Sequence, residues 1–570
     1  MIRFRTLGIL IILAGLILPV ATAQKQNPAM PETAGEKLGL VTDRSLYVVG
    51  EPVFFSVGYE KPPLPEAYKW STVLYVEMIR WNGSVLARTK VPVEGKTADG
   101  LLEIPSNIES GIYYLRAYTR WMRNFSPYRY TYTIIRVVNP STGRTERGAA
   151  TVDLPRRAGE KYRLLSDNEL QLSGLKKTVG RRSSVTLEVS PAPGLLKGPF
   201  SVSIVRKGLM EPSASWSYRV DPDTLAPAGP FFYPEIRGVT LSGQVVERES
   251  GTACAGHVVH LSSVESPFYF SSVATDSLGK FMFSFPQLAG QYEFHIGSEQ
   301  GGSCDDGASE ILVDNDFCNK PVQLPYIPFK LDDAEQELVR EIALNAQLNN
   351  RFENSGVEAA PGEKNLHPFY GHPIRTVRQE EYIELDDLEE FLFELVYEVS
   401  VRYEGDEPYL QISSQTSLVG YPPLVLLDNL PVQDFSDFLA IPCNQLDRVE
   451  VLNRGYVIGD FRYSGIVSVY TSDRNRGGLQ FFDNSQFFTY GLYGEARPLF
   501  PDYSKISVQS PVPDLRNTLF WEPAAMLDEE GVAIIHYYTG DAAGNYEVVI
   551  RGTDHEGMPV IFRSEPFMVE

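Results

Sequence analysis

The sequence predicts a mainly β protein in which several β-sandwiches accompany a short helical segment and a small α+β domain. The first observation is length, because 570 residues exceed the roughly 250 to 300 that one core supports. The second is composition: 43% hydrophobic residues, 12% aromatic residues, 40 prolines and 46 glycines are typical of globular strands joined by turns. The third is that many segments alternate apolar and polar residues with the period of a strand.

The N-terminus has the pattern of a secretory signal peptide over residues 1–23. Arg3 and Arg5 precede an apolar run, and Ala21-Thr22-Ala23 forms a small-residue cleavage site. The run holds roughly 14 residues, against the ~20 that a membrane-spanning helix needs. No later stretch of the sequence approaches the length and apolar character of a membrane-spanning helix. We therefore expect an exported chain with no transmembrane segment of its own after signal cleavage.

The chain is strongly acidic. Its formal net charge is −22, and loss of Arg3 and Arg5 with the signal peptide brings it to −24. This charge argues against nucleic acid or anionic lipid as a partner, because both would be repelled.

The four cysteines permit disulfides, since their number is even and the chain is predicted to be exported. Cys304 and Cys318 lie close in sequence and form one candidate pair, although the sequence does not determine the connectivity. No Cys-x-x-Cys or paired-histidine spacing occurs, so neither a metal site nor a cofactor is expected.

The first module, 39–139, contains "TDRSLYVVGEPVFF" and "SGIYYLRAYTRWMRNF". These segments resemble the second macroglobulin-type domain, an immunoglobulin-like sandwich. A second sandwich is predicted over 160–235 from the strands "SSVTLEVSPAP" and "GPFSVSIVRKG".

The third module, 238–325, resembles the regulatory-like sandwich appended to carboxypeptidase D. Asp276 and Gly279 are interpreted as turn residues. The aromatic run Phe268, Tyr269 and Phe270 offers candidate contacts for a glycan or peptide, with core packing as the alternative.

A helical connecting segment is predicted over 331–400. Its first helix has apolar residues at helical spacing, and Asp332 with Glu335 fits a capping box. The second, "LDDLEEFLFELVYEV", is unusually aromatic, which favours either plain core packing or a partner-binding role.

Residues 401–475 contain "PPLVLLDNLPV", "LDRVEVLNRG" and "GIVSVYTS", which resemble the plug of TonB-dependent receptors. The candidate interaction residues here are Asp428, Asn429 and Arg448, although plug domains usually carry glycine where Asn429 stands. Only 99 residues follow Thr471, whereas a transporter barrel of 22 strands needs over 200, so no transmembrane barrel is expected. The final module, 513–570, is predicted as a further macroglobulin-like sandwich.

No catalytic motif is present. Gly-x-Ser-x-Gly, His-Glu-x-x-His and the phosphate-binding Gly-x-x-x-x-Gly-Lys pattern are absent, and Cys443 with Gln445 lacks the spacing of a macroglobulin thioester. We therefore expect a protein that is not an enzyme.

The order of modules resembles a Bacteroidota group of exported proteins that combine macroglobulin-like, regulatory-like and plug-like domains. The resemblance implies a scaffold or adaptor on the periplasmic or surface side of the outer membrane. Its partner would be an outer-membrane β-barrel protein or complex of transport, assembly or secretion. The alternatives are a glycan- or peptide-binding accessory protein for nutrient uptake and a thioester-less protease-interacting protein.

Overall fold

A computed structural model describes most of the chain. The described residues are 36–60, 69–148, 162–210, 232–286, 288–299, 304, 309–353, 368–382, 385–413, 418, 420–432, 434–459, 461–479, 484–494, 500–505 and 511–570. The predicted signal peptide lies outside them. Within these ranges, no helix combines the length and apolar character needed to cross a membrane.

The first sandwich consists of eight strands: β1 Lys37–Thr42, β2 Leu46–Val48, β3 Pro52–Glu60, β4 Val73–Ile79, β5 Val85–Pro92, β6 Thr97–Glu103, β7 Gly111–Tyr118 and β8 Thr131–Val138. They form the sheets β1-β3-β6 and β2-β8-β7-β4-β5. Tyrosine rings fill much of the core, and Tyr118 stacks on Tyr75 and Tyr130 with centroids 5.4 Å and 4.4 Å apart. These rings contribute large buried areas to the sandwich.

Eleven strands follow before the first long helix: β9 Arg163–Leu164, β10 Leu170–Ser173, β11 Thr178–Val179, β12 Ser184–Pro191, β13 Phe200–Arg206, β14 Val239–Glu247, β15 Val258–Ser263, β16 Phe270–Ala274, β17 Lys280–Phe285, β18 Gln291–Glu299 and β19 Ser309–Val313.

The remaining elements are α1 Asp333–Glu353, β20 Arg375–Arg378, α2 Leu388–Leu395, β21 Val399–Glu404, β22 Glu407–Ile412, β23 Leu424–Leu427, β24 Leu430–Pro431, α3 Phe435–Leu439, β25 Leu446–Leu452, β26 Tyr456–Ile458, β27 Phe461–Tyr463, β28 Ile466–Thr471, β29 Ser485–Gly491, β30 Thr518–Ala525, β31 Ala533–Tyr538, β32 Gly544–Thr553, β33 Pro559–Arg563 and β34 Phe567–Val569. The mainly β prediction is confirmed.

The modules predicted over 160–235 and 513–570 are not separate, because their strands alternate within the same two sheets. One sheet has the order β10-β12-β31, and the other contains β11-β34-β32-β13-β30. Strand β13 is buried along its whole length and lies between β30 and β32. The strands β9 to β13 alone cannot surround such a strand, so the C-terminal strands complete what we call the split sandwich.

The third sandwich also extends beyond its predicted boundary at residue 325. Its sheets are β17-β14-β19 and β16-β15-β18-β29, and β29 follows the whole predicted plug-like region. Phe488 of β29 lies opposite Phe294 of β18 in an antiparallel register. The third sandwich is therefore inserted in the split sandwich and is itself interrupted.

Helix α1 packs between the first sandwich and the split sandwich. Its predicted capping box is present, because Asp332 N donates to Glu335 Oε2 at 3.0 Å and Glu335 N donates to Asp332 Oδ1 at 2.8 Å. Arg136 of β8 pairs with Glu335 at 2.6 Å, and Arg206 of β13 pairs with Glu341 at 2.5 Å. The helix thus connects two sandwiches through charged as well as apolar contacts.

The interrupting segment is an α/β module whose sheet has the order β20-β25-β28-β23-β24, with β23 parallel to β28. Helix α2 was predicted as part of the connecting segment 331–400, but it packs in this module's core through Leu388, Phe391 and Leu392. Strand β20, also predicted within that segment, is an edge strand of the same sheet. The module therefore begins before the predicted residue 401.

Candidate functional site

The two plug-like turn residues are internal. Asp428 and Asn429 occupy the β23–β24 turn with φ values of 49° and 70°, and both side chains are buried. The Asp428 carboxylate accepts from Thr471 N at 2.9 Å, Thr471 Oγ1 at 2.6 Å and Arg476 N at 3.0 Å. Such a carboxylate positions the end of β28 and is not presented to a partner.

Arg448, the third predicted interaction residue, lies in a partly buried cluster beside that turn. Its Nε pairs with Glu450 Oε1 at 2.7 Å, and its guanidinium lies 3.9 Å from the centroid of the Tyr470 ring. Tyr370 donates to Glu450 Oε2 at 2.7 Å. Burial raises the pKa of Tyr470, so this phenol stays neutral. The charges of the cluster are matched within the module.

The aromatic run of the third sandwich packs partly in that sandwich's core and partly against the neighbouring α/β module. Tyr269 packs on Phe285 with centroids 5.0 Å apart. Phe270 is buried and stacks at 5.4 Å on Phe369, which precedes the α/β module. Phe268 is half-buried, with the Arg474 guanidinium 5.8 Å from its ring. These rings join two modules and do not form an open ligand surface.

The predicted Cys304–Cys318 pairing is wrong. Cys304 is bonded to Cys254, whose Cα lies 5.4 Å away, while Cys318 is a buried thiol. Cys318 does not pair with Cys304 because it lies in the first sandwich's core, where its sulfur accepts from the Tyr130 hydroxyl at 3.3 Å.

One group among the described residues has metal-ligand atoms within 4.8 Å of one another, namely Cys254, His257 and Cys304. Two of these three ligand atoms are the sulfurs of the disulfide, so the thiolates that a soft metal needs are not available. This group does not constitute a metal centre in the oxidised protein.

Helix α2 presents a different kind of surface. While Phe391 and Leu392 enter the core, Phe393 is 80% exposed and Tyr397, just after the helix, is 75% exposed. Glu389 lies one turn before Phe393 on the same face and accepts from the Tyr403 hydroxyl at 2.6 Å. Glu389 thus links Tyr403 to the side of α2 that carries Phe393, and we call the three exposed side chains Phe393, Tyr397 and Tyr403 the α2 aromatic face.

The local fold explains this orientation. Asp387 caps α2 by accepting from Glu390 N at 3.0 Å, and the apolar stripe of the helix determines which positions turn outward. Strand β21 brings Tyr403 alongside because its inward face packs on the helix, with Val401 opposite Leu410 of β22.

The α2 aromatic face lies in a strongly acidic segment. Residues 386–407 contain nine acidic residues and one basic residue, a formal charge of −8. One of the rings already has a cation beside it: the guanidinium of Arg375 in β20 lies 4.2 Å from the centroid of Tyr397 and 3.6 Å from a Glu398 oxygen. The surface thus combines aromatic rings with negative potential, a pairing that favours cationic groups.

The sequence identified the aromatic character of α2 but not Tyr403, which comes from a different strand. The helical period alone separates the inward Phe391 from the outward Phe393. Only the tertiary structure shows that Tyr403 lies beside α2, because the sequence pattern of a two-stranded hairpin does not specify which helix packs on it.

Fold and site together define a multi-domain β-sandwich protein in which the described ionisable clusters are largely buried and one acidic, aromatic surface is open. No family model and no curated protein matches the sequence. Similar solved structures include Salmonella alpha-2-macroglobulin reacted with methylamine, at 12% identity and a TM-score of 0.22, covering 94% of this chain and 39% of that one.

A second similar structure is Escherichia coli alpha-2-macroglobulin activated by porcine elastase, at 12% identity and a TM-score of 0.23. It covers 94% of this chain and 44% of its own, so the chain spans about two fifths of the length of these macroglobulins. TM-scores this low do not show a shared overall fold. The architecture rests on the sheets described above.

Proposed function

We propose that this protein is an exported, non-enzymatic scaffold that binds a protein of the outer membrane through the α2 aromatic face. The supporting observation is the exposure of three aromatic rings on and beside α2, Phe393, Tyr397 and Tyr403, in contrast to the buried and internally paired Asp428 and Asn429. Contiguous exposed aromatic surface is costly in water and is typical of binding sites.

The negative charge around the α2 aromatic face favours a positively charged partner. A segment rich in lysine and arginine, with apolar side chains between them, would place cations near the carboxylates of residues 386–407 and over the three rings. Tyr397 already holds one guanidinium in this way, that of Arg375. The resemblance of the chain to exported Bacteroidota proteins supports an outer-membrane β-barrel protein or complex as the source of that segment.

The test uses the purified chain and a fluorescent peptide of alternating arginine and leucine as the probe. We expect binding that weakens with added salt and becomes about 10-fold weaker in Phe393→Ala/Tyr397→Ala, because two cation–π contacts are lost. Tyr409→Ala is the matched control, since this exposed tyrosine lies beside Arg402 on the opposite face of the hairpin.

Affinity capture from detergent-solubilised envelope extends the test to the natural partner. The proposal predicts that one membrane protein is recovered in stoichiometric amount by the wild-type chain and by Tyr409→Ala, but not by the double variant. Equal peptide binding by the double variant, or binding of a glutamate–leucine peptide in place of the basic one, would overturn it.

A further inference from the structure

A buried lysine joins the first sandwich to two parts of the chain near the third sandwich, the segment after β19 and strand β29. Lys90 of β5 is 1% exposed, and its Nζ is in direct contact with the carboxylate of Asp316, whose side chain is 16% exposed. The amine also donates to Gly491 O of β29 at 2.6 Å. The first sandwich, the segment after β19 and strand β29 of the third sandwich therefore meet at one ammonium group.

Aromatic rings surround this pair. The Lys90 Nζ lies 4.1 Å from the ring centroid of Tyr490, 5.5 Å from that of Phe317 and 5.9 Å from that of Tyr75. All three rings are buried. Because the pair is shielded from solvent by these rings, its charged form carries a large desolvation penalty.

A second buried carboxyl group lies at the same place. Glu235 accepts from the Tyr75 hydroxyl at 2.8 Å and from Thr240 N at 2.7 Å. Burial raises the pKa of Glu235 and lowers the pKa of Lys90. Both directions favour neutral groups: an uncharged amine, which is a nucleophile, beside a protonated carboxyl group.

We propose that Lys90 and Asp316 react with each other to form an intramolecular amide, a covalent cross-link between the first sandwich and the segment after β19. The geometry that supports it is a buried amine in contact with the Asp316 carboxylate, with three buried aromatic rings around the amine. Holding two reactants in this way converts a slow bimolecular reaction into an intramolecular one.

The reaction balances without any co-reactant. A proton passes from the Lys90 ammonium to the Asp316 carboxylate, leaving an amine and a carboxylic acid. The nitrogen lone pair then forms a bond to Cγ of Asp316, and the bond from Cγ to the hydroxyl oxygen breaks. The hydroxyl leaves with a proton from nitrogen, so one amide and one water are the products, and nothing is oxidised or reduced.

Intact mass measured under denaturing and reducing conditions is the first test, and it uses the wild-type mature chain. We expect the mass of the sequence less one water, and a tryptic peptide in which the segment containing Lys90 is joined to the one containing Asp316. A wild-type mass equal to that of the sequence would overturn the proposal, leaving only an ion pair.

Two variants test whether the lost water comes from Lys90 and Asp316. Asp316→Ala is expected to have the full mass of its sequence, whereas Asp316→Asn is expected to lose ammonia in place of water, because the same amide forms from a carboxamide. Loss of water located elsewhere, for example as a succinimide at Asp99-Gly100, with Lys90 still cleaved by trypsin, would contradict the cross-link.

Discussion

Replacement of Asp428 by alanine separates a structural role for this residue from an interaction role. The carboxylate is buried and accepts three hydrogen bonds, two from Thr471 and one from Arg476 N. If each lost bond costs about 1 kcal/mol and alanine at φ 49° adds about 1 kcal/mol, Asp428→Ala destabilises the α/β module by about 4 kcal/mol.

Hydrogen exchange with mass spectrometry is the appropriate assay, because a multi-domain chain does not unfold in one transition. A loss of about 4 kcal/mol corresponds to roughly 1,000-fold faster exchange in peptides covering β23, β25 and β28. Peptides of β4 and β7 in the first sandwich should be unchanged. Asp437→Ala, at an exposed position of α3 in the same module, is the control and should leave all of these rates unchanged.

A different result would assign Asp428 an interaction role. If Asp428→Ala abolished capture of an envelope partner while exchange in β23 and β28 stayed at the wild-type rate, the residue would be an interaction residue. The structural argument from its three buried hydrogen bonds would then be refuted.

Two further predictions concern other modules. Deletion of residues 512–570 removes both neighbours of β13 and leaves β12 paired only with β10, so limited proteolysis is expected to cut within 163–206 while the first sandwich resists; resistance of 163–206 would instead indicate an independent second sandwich. His295 of β18 is buried against Phe487, and burial lowers its pKa to about 3, so the stability it contributes is present above the unfolded pKa of roughly 6.5 and lost as pH falls toward 3. Calorimetry should therefore show, for the transition that His295→Phe alters, a larger fall in unfolding temperature between about pH 7 and pH 4 for wild type than for the variant, and equal falls would contradict this assignment.

Local features were predictable from the sequence because neighbouring residues make them. The capping box of Asp332 and Glu335 is present, and Asp276 forms the expected turn by accepting from Leu278 N at 2.8 Å and Lys280 N at 2.9 Å. Gly279 takes a φ of 68° there, which favours glycine. Each of these signals lies within a few residues, where side-chain chemistry and backbone geometry are directly linked.

The candidate site was predictable only in part. The helical period turns Phe393 outward, but the neighbouring Tyr403 depends on how a separate hairpin packs on α2. Conversely, Asp428 and Asn429 were expected to be interaction residues because their segment resembles a receptor plug. The structure places their turn against the end of β28, where its polar atoms have partners.

By itself, the sequence determined the strand-rich class, the element types and the local caps and turns. Only the tertiary structure decided which distant strands share a sheet, such as β12 with β31 and β18 with β29, and which cysteine pairs with Cys254. The physical reason is that ladder hydrogen bonds are made by the backbone, which is the same at every residue, so alternation predicts a strand without naming its neighbour. The neighbour is selected by burial of whole faces, a property of the assembled chain.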